Sequence, residues 1–343
     1  MDKRFEQRRQ RWARFMDMRA PHSHMVLVRF DEDGQDSVKP YPEKKQERID
    51  WAMRRYERQL ERAEWLDDDS IPHVWVFTGT EIFAESFGCN VHRPEGDMPF
   101  ALPLIHEGAD VSKIKVPDLA APPIALLFEM ADELKKRAGS DVLIQTPDVQ
   151  SPMDIAALIW EKSRFFMGMF ECPEAVKELA EKVRQFLTAF LDEWFGRYGK
   201  SHIAHWPDYY MEQGMTLSED EVGAVSADAF EEFFLPELAF LSNRYGGIGI
   251  HCCANSRHQW DGFKKIPNLK LLNLNQPIET IMEAYEFFGS HCAMMNHHQM
   301  GNPIPEHVMD KLPAGARQAF EFPAATKDEA LLAVEKVRQL SGN

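Results

Sequence analysis

The run GGIGIHCCAN, residues 246 to 255, ends an apolar stretch in one imidazole and two adjacent thiols. Residues two apart on a strand share a face, so His251 and Cys253 point one way and Cys252 the other. An imidazole and a thiolate on one face are half of a site for a soft metal. Zinc fits, because it takes three protein ligands and keeps one position open for catalysis. Such an ion would also hold Cys253 as the thiolate. The competing reading is a packed strand end, since Cys is commonly buried and inert and a buried His is commonly held by ordinary hydrogen bonds.

Other apolar runs also end in polar residues. Glu321 and His298 are the candidates to complete the metal site, ahead of Cys292, which stands near the start of its run. Asp208, His205 and Glu81 are the candidate acid–base groups. Gln145, Asn273, Asn275, Trp206 and Asn296 are the candidates for positioning a substrate. For each, the alternative is a plain strand-end hydrogen bond. Cys89, on a loop after a helix, reads as packing.

These residues need a scaffold that gathers strand ends. Eight strand-like runs cover 71–79, 99–105, 141–149, 201–210, 246–253, 269–276, 291–298 and 316–322. Amphipathic helical stretches alternate with them, among them PPIALLFEMADELKKRAG and KDEALLAVEKVRQL. The alternation predicts the α/β class and a (β/α)8 TIM barrel, with its active site at the C-terminal ends of the strands. Residues 71–343 form the barrel in this reading, and 1–70 a helical extension.

Composition narrows the function. The chain has 343 residues, 44% hydrophobic content and a net charge of −16. That charge argues against non-specific nucleic-acid binding. The basic start, MDKRFEQRRQRWARFMDMR, reads as a solvated helix and is also a candidate homodimer interface. No apolar run reaches about 18 residues, so no membrane span is expected. The charged N-terminus lacks the apolar stretch of a signal peptide. Five cysteines, at 89, 172, 252, 253 and 292, then suggest a cytoplasmic protein with reduced thiols. No G-x-G-x-x-G follows a strand, and neither a P-loop nor a G-x-S-x-G motif is present.

Two segments bring a family into view. QTPDVQSPMDIAALIWEKSRFFMGMFECPEAVKELAEKV resembles a Gly-Pro segment, a long helix and a D-P-E-x-V helix start. VSADAFEEFFLPELAFLSNRYGGIGIHCCAN resembles an S-P-x-x-F-E-E-F-x-x-P helix leading into an H-x-C-G-N strand end. Together they resemble the uroporphyrinogen decarboxylase superfamily, which includes the corrinoid-dependent methyltransferases, over roughly residues 70 to 340. The decarboxylases hold substrate carboxylates with an R-Q-A-G-R segment; here that place reads FTGTEIFAESFG, without arginine. The resemblance therefore implies a methyltransferase rather than a decarboxylase of tetra-acid porphyrinogens. His251 and Cys253 match two of the methyltransferases' zinc ligands, while their last Cys is replaced here by AFEFPAAT. The implied function is metal-activated methyl transfer to a small molecule, with a partner corrinoid protein as donor. The alternatives are a metal-free lyase acting on a small carboxylated substrate, and a binding protein without catalysis.

Overall fold

The computed structural model describes residues 3–30, 32, 37–299 and 301–341. Eight parallel strands run in chain order around a barrel: β1 (Met25–Phe30), β2 (His73–Trp75), β3 (Leu143–Gln145), β4 (Met215–Ser218), β5 (Ile248–Cys252), β6 (Leu269–Gln276), β7 (Ala293–Met294) and β8 (Ala319–Ala324). Ladders join β2 to β3, β4 to β5 to β6 to β7, and β8 back to β1. Single parallel bridges, Gln150 to Ser218 and Met294 to Gln318, carry the ring across two of the gaps. Between β1 and β2 the join is made largely by side chains. The Asp69 and Asp68 carboxylates accept the Val26 and Val28 N–H groups at 2.8 and 3.1 Å. Helices cover the outside, so strands such as β5 are buried on both faces and read as continuous apolar runs.

Side chains fill the barrel in layers. An apolar floor of Met25, Leu27, Leu143, Ile203, Tyr209, Leu271, Ala293, Met295 and Ala319 lies toward the strand starts. Gly249 makes room in it, since a Cβ there would stand 2.0 Å from the Tyr209 hydroxyl. One or two residues further along the strands the inward positions become polar, with Arg29, His73, Gln145, His251, Asn273, His297 and Glu321. The change from floor to mouth is what places chemistry at the C-terminal strand ends.

The strand pattern predicts the right number of strands but counts one that lies outside the barrel and runs another too far. Run 99–105 lies outside the barrel: Phe100–Ala101 pairs antiparallel with Val91–His92. Run 201–210 begins with a short strand, His202–Ile203, that pairs in parallel with β3 at Gln145, and then folds back as a hairpin against Tyr210–Met211, reversing around Trp206-Pro207. β1 and β4 are barrel strands that the pattern did not mark. The region before residue 70 is helical over α1 (Lys3–Met16) and α2 (Lys45–Ala63) and also supplies β1, which pairs in parallel with the last strand. Nor is α1 simply solvated. Arg8 is buried, donating to Ser70 O at 2.6 Å, and Trp12 Nε1 donates to Asp69 O at 2.8 Å. Among the described residues no helix is long and apolar enough to cross a membrane.

Candidate functional site

His251 and Cys253 come together at the end of β5. His251 Nε2 lies 2.9 Å from Cys253 Sγ. Cys253 is exposed and Cys252 fully buried, as their alternation predicts. A third group joins them. Asp220, just after β4, places a carboxylate oxygen so that the three ligand atoms lie within 4.8 Å of one another.

Hydrogen bonds fix which His251 nitrogen can bind a cation. The Met295 carbonyl only accepts, so the Asn273 amide turns its Nδ2 toward it. Asn273 Oδ1 must then face His251 Nδ1, which donates. The lone pair of His251 is left on Nε2, facing Cys253. The same Nδ2 reaches His297 Nδ1 at 3.0 Å, so His297 donates from Nε2 to Glu321. Burial lowers the His251 pKa and keeps the ring neutral. Burial, with Asp220 nearby, pushes the Cys253 thiol up to about 11.

The polar chain continues past Glu321. Arg29 pairs with Glu321 and donates to Asp208 Oδ2 at 3.1 Å. Arg55 donates to the same oxygen at 3.0 Å, and Gln145 Nε2 to Oδ1 at 2.6 Å. Burial works to raise both carboxyls, but the cationic neighbours hold Asp208 and Glu321 at about 2. His73 gives its Nδ1 proton to Ile71 O at 2.8 Å and accepts from Arg55 at 3.1 Å. Burial keeps it neutral, with a pKa lowered to about 4.

The predicted acid–base trio does not assemble as a unit. Asp208, clamped as an ion, has no proton to give near neutral pH. His205 stands 3.3 Å from Asp148; burial opposes its charge, but Asp148 and Asp208 raise its pKa. Glu81 turns into a separate recess lined by Arg48, Thr78, Glu85 and Arg93. Its carboxyl lies over Gly79, where a Cβ would be 2.2 Å from Oε2, and burial raises it to about 7.

Of the predicted metal ligands beyond His251 and Cys253, Glu321 is committed to His297 and Arg29. His298 belongs to the other face. The parallel register sets Asn275 beside His297, so the inward residue at this level is His297, one position earlier. Asn296 likewise faces outward, accepting from Leu274 N at 2.9 Å and stitching strands together. Gln145 and Asn273 are buried in the network. Asn275, at the rim, accepts from Gly301 N at 3.1 Å. Trp206 is 44% exposed and stacks on His297, with ring centroids 5.8 Å apart.

Asp220, Arg29, Arg55 and Asp154 were not singled out from the sequence. Asp220 follows the short MTLS run, and Arg29 lies in MVLVRF, an apolar run with one basic residue at an inward position.

The family model described as uroporphyrinogen decarboxylase matches residues 71–314, about seven tenths of the chain. Among solved structures, a methyltransferase from Methanosarcina mazei has the same fold, with a TM-score of 0.66 and 12% identity, covering 99% of each chain. No curated protein matches the sequence.

Proposed function

The chain belongs to the uroporphyrinogen decarboxylase family, and from that premise we propose that it is a methyltransferase-like enzyme. In this reading a zinc ion held by His251 and Cys253 activates a small methyl acceptor, a thiol or similar nucleophile. One observation carries it: His251 Nε2, with its lone pair outward, stands 2.9 Å from Cys253 Sγ at the open end of the barrel. A neutral imidazole and a thiol on one strand end are a donor set that suits zinc. When bound, the ion supplies Lewis acidity that favours the acceptor as its anion.

The chain's own residues set the conditions. Asn273 locks the His251 tautomer, an outer-shell task typical of metal-bound histidines. Gln276 Nε2 donates to the carbonyls of Cys253 and Ala254 at 2.9 and 2.8 Å, holding the strand end that presents the thiol. His205, 3.3 Å from Asp148 near the mouth, can take up the proton that the acceptor releases on becoming its anion. Trp206 offers an apolar face to a bound substrate. The resemblance supplies the donor, a methylated corrinoid on a partner protein. The metal-free lyase reading is weakened, since Asp208 is already neutralised by Arg29 and Arg55.

Elemental analysis of protein expressed in zinc-rich medium tests this. We expect close to one zinc per chain, lost on chelation and in both His251→Ala and Cys253→Ala. Less than about a tenth of an equivalent in the unmodified protein sinks the reading.

A further inference from the structure

We infer that Asp220 is the third protein ligand of this centre, standing in for the thiolate that the last strand lacks, and that buried Asp154 presents it. The inference rests on the zinc reading above and concerns how the site is completed.

Position is the first argument. Asp220, His251 and Cys253 form the one group of potential ligands of this kind found among the described residues. Zinc bonds of about 2.0–2.3 Å bring three such atoms onto one ion with small side-chain adjustments. Glu321, on the last strand, has its oxygens taken by His297 and Arg29. Asp220 uses Oδ1 to accept the Cys253 N–H at 2.6 Å. Its Oδ2 has no hydrogen bond among the described residues. The same contact ties the ligand-bearing end of β5 to the ligand-bearing end of β4.

Presentation is the second argument. Asp154 is 2% exposed, on a helix (Pro152–Ile159) whose N-cap Ser151 accepts from the Asp154 N–H at 3.0 Å. Its Oδ2 accepts the Asp220 N–H at 2.9 Å and its Oδ1 the Glu221 N–H at 3.1 Å. From the other side, Glu219 N–H donates to His251 O at 2.9 Å. The Glu219 side chain is fully buried beside Asp154. Asp220, the next residue, turns instead to Cys253. A loop held at three successive N–H groups keeps a ligand in place without the ion, which is what a prepared metal site needs.

Chemistry is the third argument. A carboxylate in place of a thiolate keeps the ligand charge unchanged, and zinc accepts N, S and O donors alike. The exchange makes the donor set harder.

Titration of the metal-free full-length protein with Co²⁺, read by absorption, and zinc competition against a chromophoric chelator test the assignment. We expect one ion per chain in the unmodified protein, with a sulfur-to-cobalt band. Asp220→Asn should weaken zinc binding more than about 100-fold and Asp154→Asn about 10-fold. His298→Gln, at a ring on the other face, should leave binding unchanged. Asp220→Cys should bind and strengthen the sulfur-to-cobalt band, which a merely structural role for Asp220 does not predict. If Asp220→Asn binds as the unmodified protein does, or His298→Gln abolishes binding, the assignment is overturned while the zinc reading stands. If the unmodified protein binds no ion, both fail.

Discussion

Met295 offers Asn273 a carbonyl that can only accept, and this one contact orients two imidazoles in opposite senses. His251 keeps its lone pair toward the mouth, while His297 points its proton at Glu321. Charge is arranged as tightly. Two guanidiniums and two carboxylates, Arg29, Arg55, Asp208 and Glu321, sit in the same polar layer and offset one another. Removing one carboxylate strands the cations. Asp208→Asn should therefore cost about 3–5 kcal/mol of folding stability near pH 7, measured by urea unfolding. The pH dependence has a definite sign. Asp208 and Glu321 sit at about 2 when folded, below the unfolded values of about 3.9 and 4.3. Their contribution is complete above roughly pH 5 and is lost as pH falls through about 4 toward 2. Unfolding free energies of the unmodified protein should fall across that window, and those of Asp208→Asn less steeply. An equal slope in both would contradict the clamp.

The elements that carry these residues differ in how far the sequence discloses them. β5 is an apolar run with a polar end, so the shared face of His251 and Cys253 follows from alternation alone. β4 is four residues long, Met215–Ser218, and too short for periodicity to stand out. Asp220 after it is correspondingly obscure. Just past β7 the polar cluster Asn296-His297-His298 offers two possible faces, and only pairing with β6 selects His297. β1 lies between charged helices and looks like part of them, though it provides Arg29 to the interior and a partner for β8. That pairing gives an element-level test. A chain starting at residue 71 loses β1, leaving β8 with an open edge and Glu321 without Arg29. We expect it to be aggregated or to lack a cooperative unfolding transition; a soluble monomer with a sharp melting transition would show that β1 is dispensable.

The whole molecule is a packed barrel, apolar at the floor and polar at the mouth. An ion bound to groups from β4 and β5 should stabilise the fold by mass action. Free zinc at about 100 times its dissociation constant adds roughly 2.7 kcal/mol, seen as a higher urea midpoint at unchanged slope. Cys253→Ser should remove most of that shift, and an equal shift in both proteins would place the stabilising ion elsewhere. The closure of β1 on β8 also bears on synthesis. Met25 is matched with Ala319, 319 − 25 = 294 residues further along. A ribosome adds about 5–20 residues each second, so β1 emerges roughly 15 to 60 s before its ladder partner. During that interval Asp68 and Asp69, the partners of the Val28 and Val26 amides, are already made. The two carboxylates that seam the finished barrel thus hold one edge of its first strand early, while the other edge waits for the last strand to be made.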